Sequence, residues 1–147
     1  MLSTLAELFV RDLARLKKEL EQYPSEAALW KRAEGINNTG GNLALHLAGN
    51  LRHFIGATLG NNGYVRDRHG EFNDVDVPRS EICARIDAAA EDIRVVFGAL
   101  SEEELDGNYA IEVFGEPVST RRFMLHLYGH LNYHLGQISY HRRLLSS

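Results

Sequence analysis

Residues Thr120–Leu145 read TRRFMLHLYGHLNYHLGQISYHRRLL and carry two stripes along one helix. With about 100° per residue and His126 as origin, Leu127, Leu131, Leu135 and Ile138 fall at roughly 100° to 180°. His130, His134, Gln137 and His141 fall within about 80° of the origin on the same wheel. The apolar stripe is the face that a helix buries. The histidine stripe borders that face and does not point away from it.

Reading outward, the same period recurs in three earlier segments. Leu5, Phe9, Leu13, Leu16 and Leu20 predict a helix from about Ser3 to Tyr23, with Thr4 and Glu7 as a capping box and Pro24 as its stop. A short helical turn is expected around Ser25–Lys31, followed by the loop GINNTGG at 35–41. Leu43, Leu47, Leu51, Phe54 and Ile55 predict a second helix from near Thr39 to near Gly60, where GNNG forbids continuation. Ile82, Ile86, Ala89, Ile93, Val96 and Leu100 predict a third, capped by Ser80. Residues 61–79 and 101–118 read as connections; in the latter, Tyr109, Ile111 and Val113 alternate before a GEP turn, the pattern of a small hairpin.

Four amphipathic helices in 147 residues imply one all-α domain, 1–147, folded as a four-helix bundle. The connection at 61–79 is long enough to run back along a helix of roughly 30 Å, so the second and third helices can lie parallel. With 44% hydrophobic and 24% charged residues, the composition is that of a globular protein. No apolar run is long enough to span a bilayer. The mixed charges of the first twenty residues do not form a secretory signal. A net charge of −4 lacks the basic footprint of a nucleic-acid binder. The single cysteine, Cys83, makes no internal disulfide, and the expected compartment is the cytoplasm.

Histidine is the anomaly. Of seven, His126, His130 and His134 recur every fourth residue. Two imidazoles four apart on a helix stack on one face and can reach one ion. A pair is too few ligands for a tight site, so a third must come from another helix. The second helix offers His46 and His53, seven apart, with Asn50 between them. His53, His69 and His141 read individually as surface or satisfied core residues. From spacing alone two readings stand: a metal site, or a polar border on a helix.

The stretches NLALHLAGNLRHFI, RDRHGEF and HLYGHLNYHLGQI resemble the DinB-like superfamily, and most closely a branch long described as a domain of unknown function. The resemblance runs from about Leu5 to Leu145. It implies an up-down-down-up four-helix bundle, often a homodimer, that holds one divalent metal through three histidines. On this chain those are His46, His130 and His134. His126, Asn50 and Gln137 are then expected to line the pocket or to orient a ligand.

Three protein nitrogens with an open position form the arrangement of a catalytic rather than a closed structural site. The donors do not distinguish zinc, nickel, iron or manganese. Relatives in the superfamily include enzymes that transfer bacillithiol, mycothiol or glutathione to electrophiles. The resemblance therefore implies a metal-dependent enzyme that activates a low-molecular-weight thiol for attack on a small-molecule substrate. Hydrolysis by metal-activated water is the alternative enzyme reading, and a non-catalytic structural or regulatory metal-binding bundle is the third. Arg66 and Arg68 are placed to grip a carboxylate of a thiol cofactor, or else to pair with Asp67, Glu71 or Asp74. No Glu lies within HLNYH, which leaves an HExxH protease mechanism unsupported. Cys83, Trp30 and Phe54 read as core.

Overall fold

The computed structural model describes residues 1–145. Its helices are α1 (Leu2–Glu21), α2 (Gly40–Leu51), α3 (Arg68–Asn73), α4 (Arg79–Ala99), α5 (Glu102–Asp106) and α6 (Thr120–Leu145). A 3-10 turn at Ala27–Trp30 precedes α2, and a π-helical segment, Arg52–Leu59, prolongs it. The four long helices are those the apolar period marks out. Phe9, Leu13, Leu16 and Leu20 of α1 meet Ile82, Ile86 and Ile93 of α4 and Leu131 and Ile138 of α6 in one buried core. Burying each such side chain is worth roughly 1.5–3 kcal/mol, which is what holds the helices together.

Side-chain partners across the core set the directions. Phe9 meets Phe97 and Lys17 meets Asp87, so α1 and α4 are antiparallel. Arg52 pairs with Asp92, and Gly60 lies against Val96, so the α2 rod and α4 run parallel. Phe54 meets Phe123 and Gly40 lies against His141, so α6 runs antiparallel to α2. The bundle is thus all-α and up-down-down-up, and residues 61–79 make the long return. Among the described residues no helix is long and apolar enough to cross a membrane.

Several local expectations need correction. The first helix begins at Leu2 with no side-chain cap, so Thr4 and Glu7 form no capping box. Leu2 is itself buried, which carries the apolar face back one turn, and its N–H donates to Glu102 Oε1 at 3.3 Å. Ser80 is not a cap either: α4 starts at Arg79 after Pro78, and the Arg79 N–H donates to Glu26 Oε1 at 2.8 Å. The hairpin at 109–113 does not form. Only an isolated bridge joins Asn108 to Ser119, because Tyr109 turns inward and donates to the Phe54 carbonyl at 2.6 Å while Ile111 stays exposed. Both connections also hold a short helix the apolar period does not mark, α3 and α5.

Candidate metal centre

Where α2 crosses α6, His46 faces His130 and His134. His46 Nε2 lies 3.1 Å from His130 Nε2, and His134 Nε2 lies 3.1 Å from the same atom. The three rings stand nearly perpendicular to one another, at 79°, 85° and 88°. His46 is buried, and the other two are half-buried. All three candidate ligand atoms lie within 4.8 Å of one another.

Each outer ring has a partner for its other nitrogen. Glu71 Oε1 sits 3.0 Å from His46 Nδ1, and Gln137 Oε1 sits 2.7 Å from His134 Nδ1. An ionised carboxylate and an amide oxygen accept only, so both Nδ1 atoms carry the proton and both Nε2 atoms present lone pairs. Those lone pairs converge on His130 Nε2. A single proton on His130 can satisfy one of them, which leaves the other nitrogen facing a nitrogen. A cation at the centre satisfies all three. Zinc–nitrogen bonds of about 2.0–2.1 Å put cis ligand nitrogens about 3.0–3.4 Å apart, and the two 3.1 Å spacings about His130 Nε2 match. The donor set fits a divalent ion of the imidazole-preferring group.

The electrostatics favour neutral, ligand-competent imidazoles. Burial, then the neighbouring His134 and His46 rings, pushes His130 down to about 4. Burial lowers His134 as well, although its bond to Gln137 opposes this. Burial alone would raise the Glu71 carboxyl, but hydrogen bonds from His46 and Arg66 outweigh it and hold the group below the usual range. Arg66 grips Glu71 bidentately, with both contacts at 2.8 Å. The carboxylate is accommodated because Gly49 has no side chain: a Cβ there would collide with Glu71 Oε2.

His46 and His130 also face a cleft of about 280 Å³. Asn50, Arg66, Arg68 and His126 reach it, and Phe54, Phe114 and Phe123 wall it. His126 stacks on Phe123 and stays outside the triad. Phe54, expected in the core, lines this cleft, whereas Trp30 packs over Gly41. His141 is a satisfied core residue: it hydrogen-bonds Tyr23 at 2.7 Å and the Lys31 carbonyl at 2.8 Å. His53 and His69 join no ligand cluster among the described residues. Cys83 is half-buried on α4, and burial raises its thiol pKa.

Glu71 is the functional residue that sequence reasoning missed. It was legible only as an ion-pair partner for the RDRHGEF arginines, and its role towards His46 required the α3 placement. Gly49, three residues after His46, was the available signal that something packs there.

A family model described as "Protein of unknown function (DUF1572)" matches residues 1–147. A crystal structure of a conserved protein from Enterococcus faecalis superposes with a TM-score of 0.78 at 16% identity, covering 97% of this chain and 95% of that one. That likeness is one of fold. No curated protein matches the sequence.

Proposed function

The chain belongs to the DUF1572 family, and we propose that it is a DinB-like metal-dependent enzyme that activates a low-molecular-weight thiol for transfer to an electrophile. The observation that carries this reading is the triad of converging Nε2 atoms beside a cleft that His46 and His130 both line. A closed structural site would leave no such space. His46, His130 and His134 would hold the ion. When bound, a divalent cation supplies the Lewis acidity that lowers the pKa of a thiol or water toward neutrality.

The chain's own groups do the rest. Glu71 and Gln137 fix the rings of His46 and His134, and Phe54, Phe114 and Phe123 shape the cleft beside them. Among the described residues no serine, threonine or cysteine lines the cleft, so the nucleophile is a co-substrate thiol or water. That favours thiol transfer over a mechanism with a protein nucleophile. The thiol proton leaves to solvent, the sulfur lone pair forms the new C–S bond, and the leaving group departs with its bonding pair. We propose further that the molecule is a homodimer, a reading supported by the exposed apolar side chains on α6.

Metal analysis of the purified protein should return about one divalent ion per chain, and His130→Ala should lose most of it while keeping its helical circular dichroism. Full metal content in that variant would remove the triad as the site. The metal-loaded protein should then accelerate conjugation of chlorodinitrobenzene to glutathione, bacillithiol or mycothiol. No acceleration with any of the three would remove the transferase reading and leave a metal-binding bundle.

A further inference from the structure

Three buried side-chain polar atoms have no hydrogen-bond partner among the described residues: Trp30 Nε1, Asn50 Oδ1 and His130 Nδ1. Buried polar groups are nearly always satisfied, so each exception calls for an explanation. Two of these three belong together. Asn50 follows His46 by about one turn of α2 and is only 7% exposed. His46, Asn50 and His130 all line the same cleft. Trp30 packs over Gly41, about 13 Å earlier along the α2 axis.

The Asn50 and His130 atoms are chemically complementary when the triad is in its ligand form. His46 and His134 hold their protons on Nδ1, against Glu71 and Gln137, and present Nε2. His130 must present Nε2 as well, so its proton sits on Nδ1. That N–H is then a buried donor in need of an acceptor, and Asn50 Oδ1 is a buried acceptor in need of a donor. Neither atom is open to solvent, so a molecule in the cleft serves neither. The nearby cationic donors are engaged elsewhere. Arg66 spends Nε and Nη2 on Glu71, and the Arg68 guanidinium lies over the Phe72 ring.

Resting on the metal-centre reading, we propose that Asn50 is the positioning residue of His130: with an ion bound, His130 Nδ1–H donates to Asn50 Oδ1, which holds the ring with Nε2 towards the ion. Ligating imidazoles generally carry such a partner. Every ligand ring then has one acceptor behind it, a carboxylate for His46 and an amide for each of the other two. The spacing of His46 and Asn50 gives one face of α2 two tasks. It supplies a ligand, and it braces the ligand that faces it from α6.

The test compares the wild-type chain with Asn50→Ala and Asn50→Asp. In a competition titration with a chelating dye, Asn50→Ala should bind zinc roughly 10–100-fold more weakly, the usual cost of losing a ligand's hydrogen-bond partner. Asn50→Asp offers a carboxylate to the same N–H and should bind at least as tightly as wild type. Nitrogen NMR of the zinc-loaded protein with isotope-labelled histidine should show His130 protonated on Nδ1. That proton should exchange with water slowly in wild type and faster in Asn50→Ala, while the Nδ1 protons of His46 and His134 are unaffected. A merely structural role for Asn50 gives neither rescue by aspartate nor a change confined to His130. Unchanged zinc affinity in Asn50→Ala, an Asn50→Asp variant as weak as the alanine, or a His130 proton that exchanges as in wild type would each overturn the proposal. Failure of the underlying reading looks different: a wild-type chain that takes up no zinc overturns the metal centre and this proposal with it.

Discussion

At the scale of single residues, Asp12 shows how this bundle tolerates a buried charge. It is fully buried on α1, yet it accepts from Arg11 Nε at 2.8 Å, Arg15 Nη1 at 3.1 Å, Tyr128 Oη at 2.5 Å and Asn132 Nδ2 at 3.1 Å. Burial alone would raise its pKa; the hydrogen bonds from Arg11, Tyr128 and Asn132 outweigh that and hold the carboxyl below its ordinary value. In acid the unfolded chain therefore binds the proton more readily than the folded one. The stabilisation is present above the ordinary aspartate range near pH 4 and is lost as pH falls below it. Asp12→Asn should cost about 1–3 kcal/mol at neutral pH and flatten the acid arm of stability against pH, as read from urea midpoints. An unchanged acid arm would show that other carboxylates set it. Nothing in the sequence marks Asp12: it sits among Arg11, Leu13 and Arg15 like any solvated acid, and its partners on α6 lie more than a hundred residues away. The triad was legible for the opposite reason. His130 and His134 are placed by one turn of a single helix, and only His46 depended on how two helices cross.

At the scale of elements, α2 packs against α3, α4 and α6. Its glycines are contact surfaces: Gly40 receives the Tyr23 ring, Gly41 the Trp30 ring and Gly49 the Glu71 carboxylate. Gly49→Ala should push Glu71 off the helix and release His46 Nδ1. Metal affinity should then fall roughly 10–100-fold, the usual cost of losing a ligand's hydrogen-bond partner, while the fold persists. A competition titration with a chelating dye measures this, and unchanged affinity would mean that Glu71 does not matter to the site. The long helices were readable because residues such as Leu13, Leu47, Ile86 and Leu131 repeat often enough to establish a period. The helices α3 and α5 complete too few turns for any period to show. For α5 the capping box of Ser101 and Glu104 was a readable signal all the same. The failed hairpin had the reverse fault: its alternation was real in sequence, but the Phe54 carbonyl claimed the Tyr109 hydroxyl.

At the scale of the whole molecule, the outer face of α6 is the surface least suited to water. Leu125, Tyr133, Tyr140 and Leu144 are 47%, 66%, 62% and 71% exposed. They share one arc of about 100° on the helical wheel. Gly129 and Gly136 lie within the same arc with open space above them, which allows a second helix to approach closely. Sedimentation should give twice the 16.6 kDa chain mass, and Tyr133→Glu should shift it to the monomer without loss of metal. A wild-type chain that stays monomeric at every concentration removes the dimer. The two helices that supply the triad thus meet opposite fates. Every residue from Gly40 to Leu51 is buried, so α2 has no watered side on which a substitution goes unnoticed, whereas α6 keeps a free flank. Over many generations α2 should behave as the still point of the lineage. Change can accumulate on α1, α4 and the outer face of α6, while twelve consecutive positions of α2 have almost nowhere to drift.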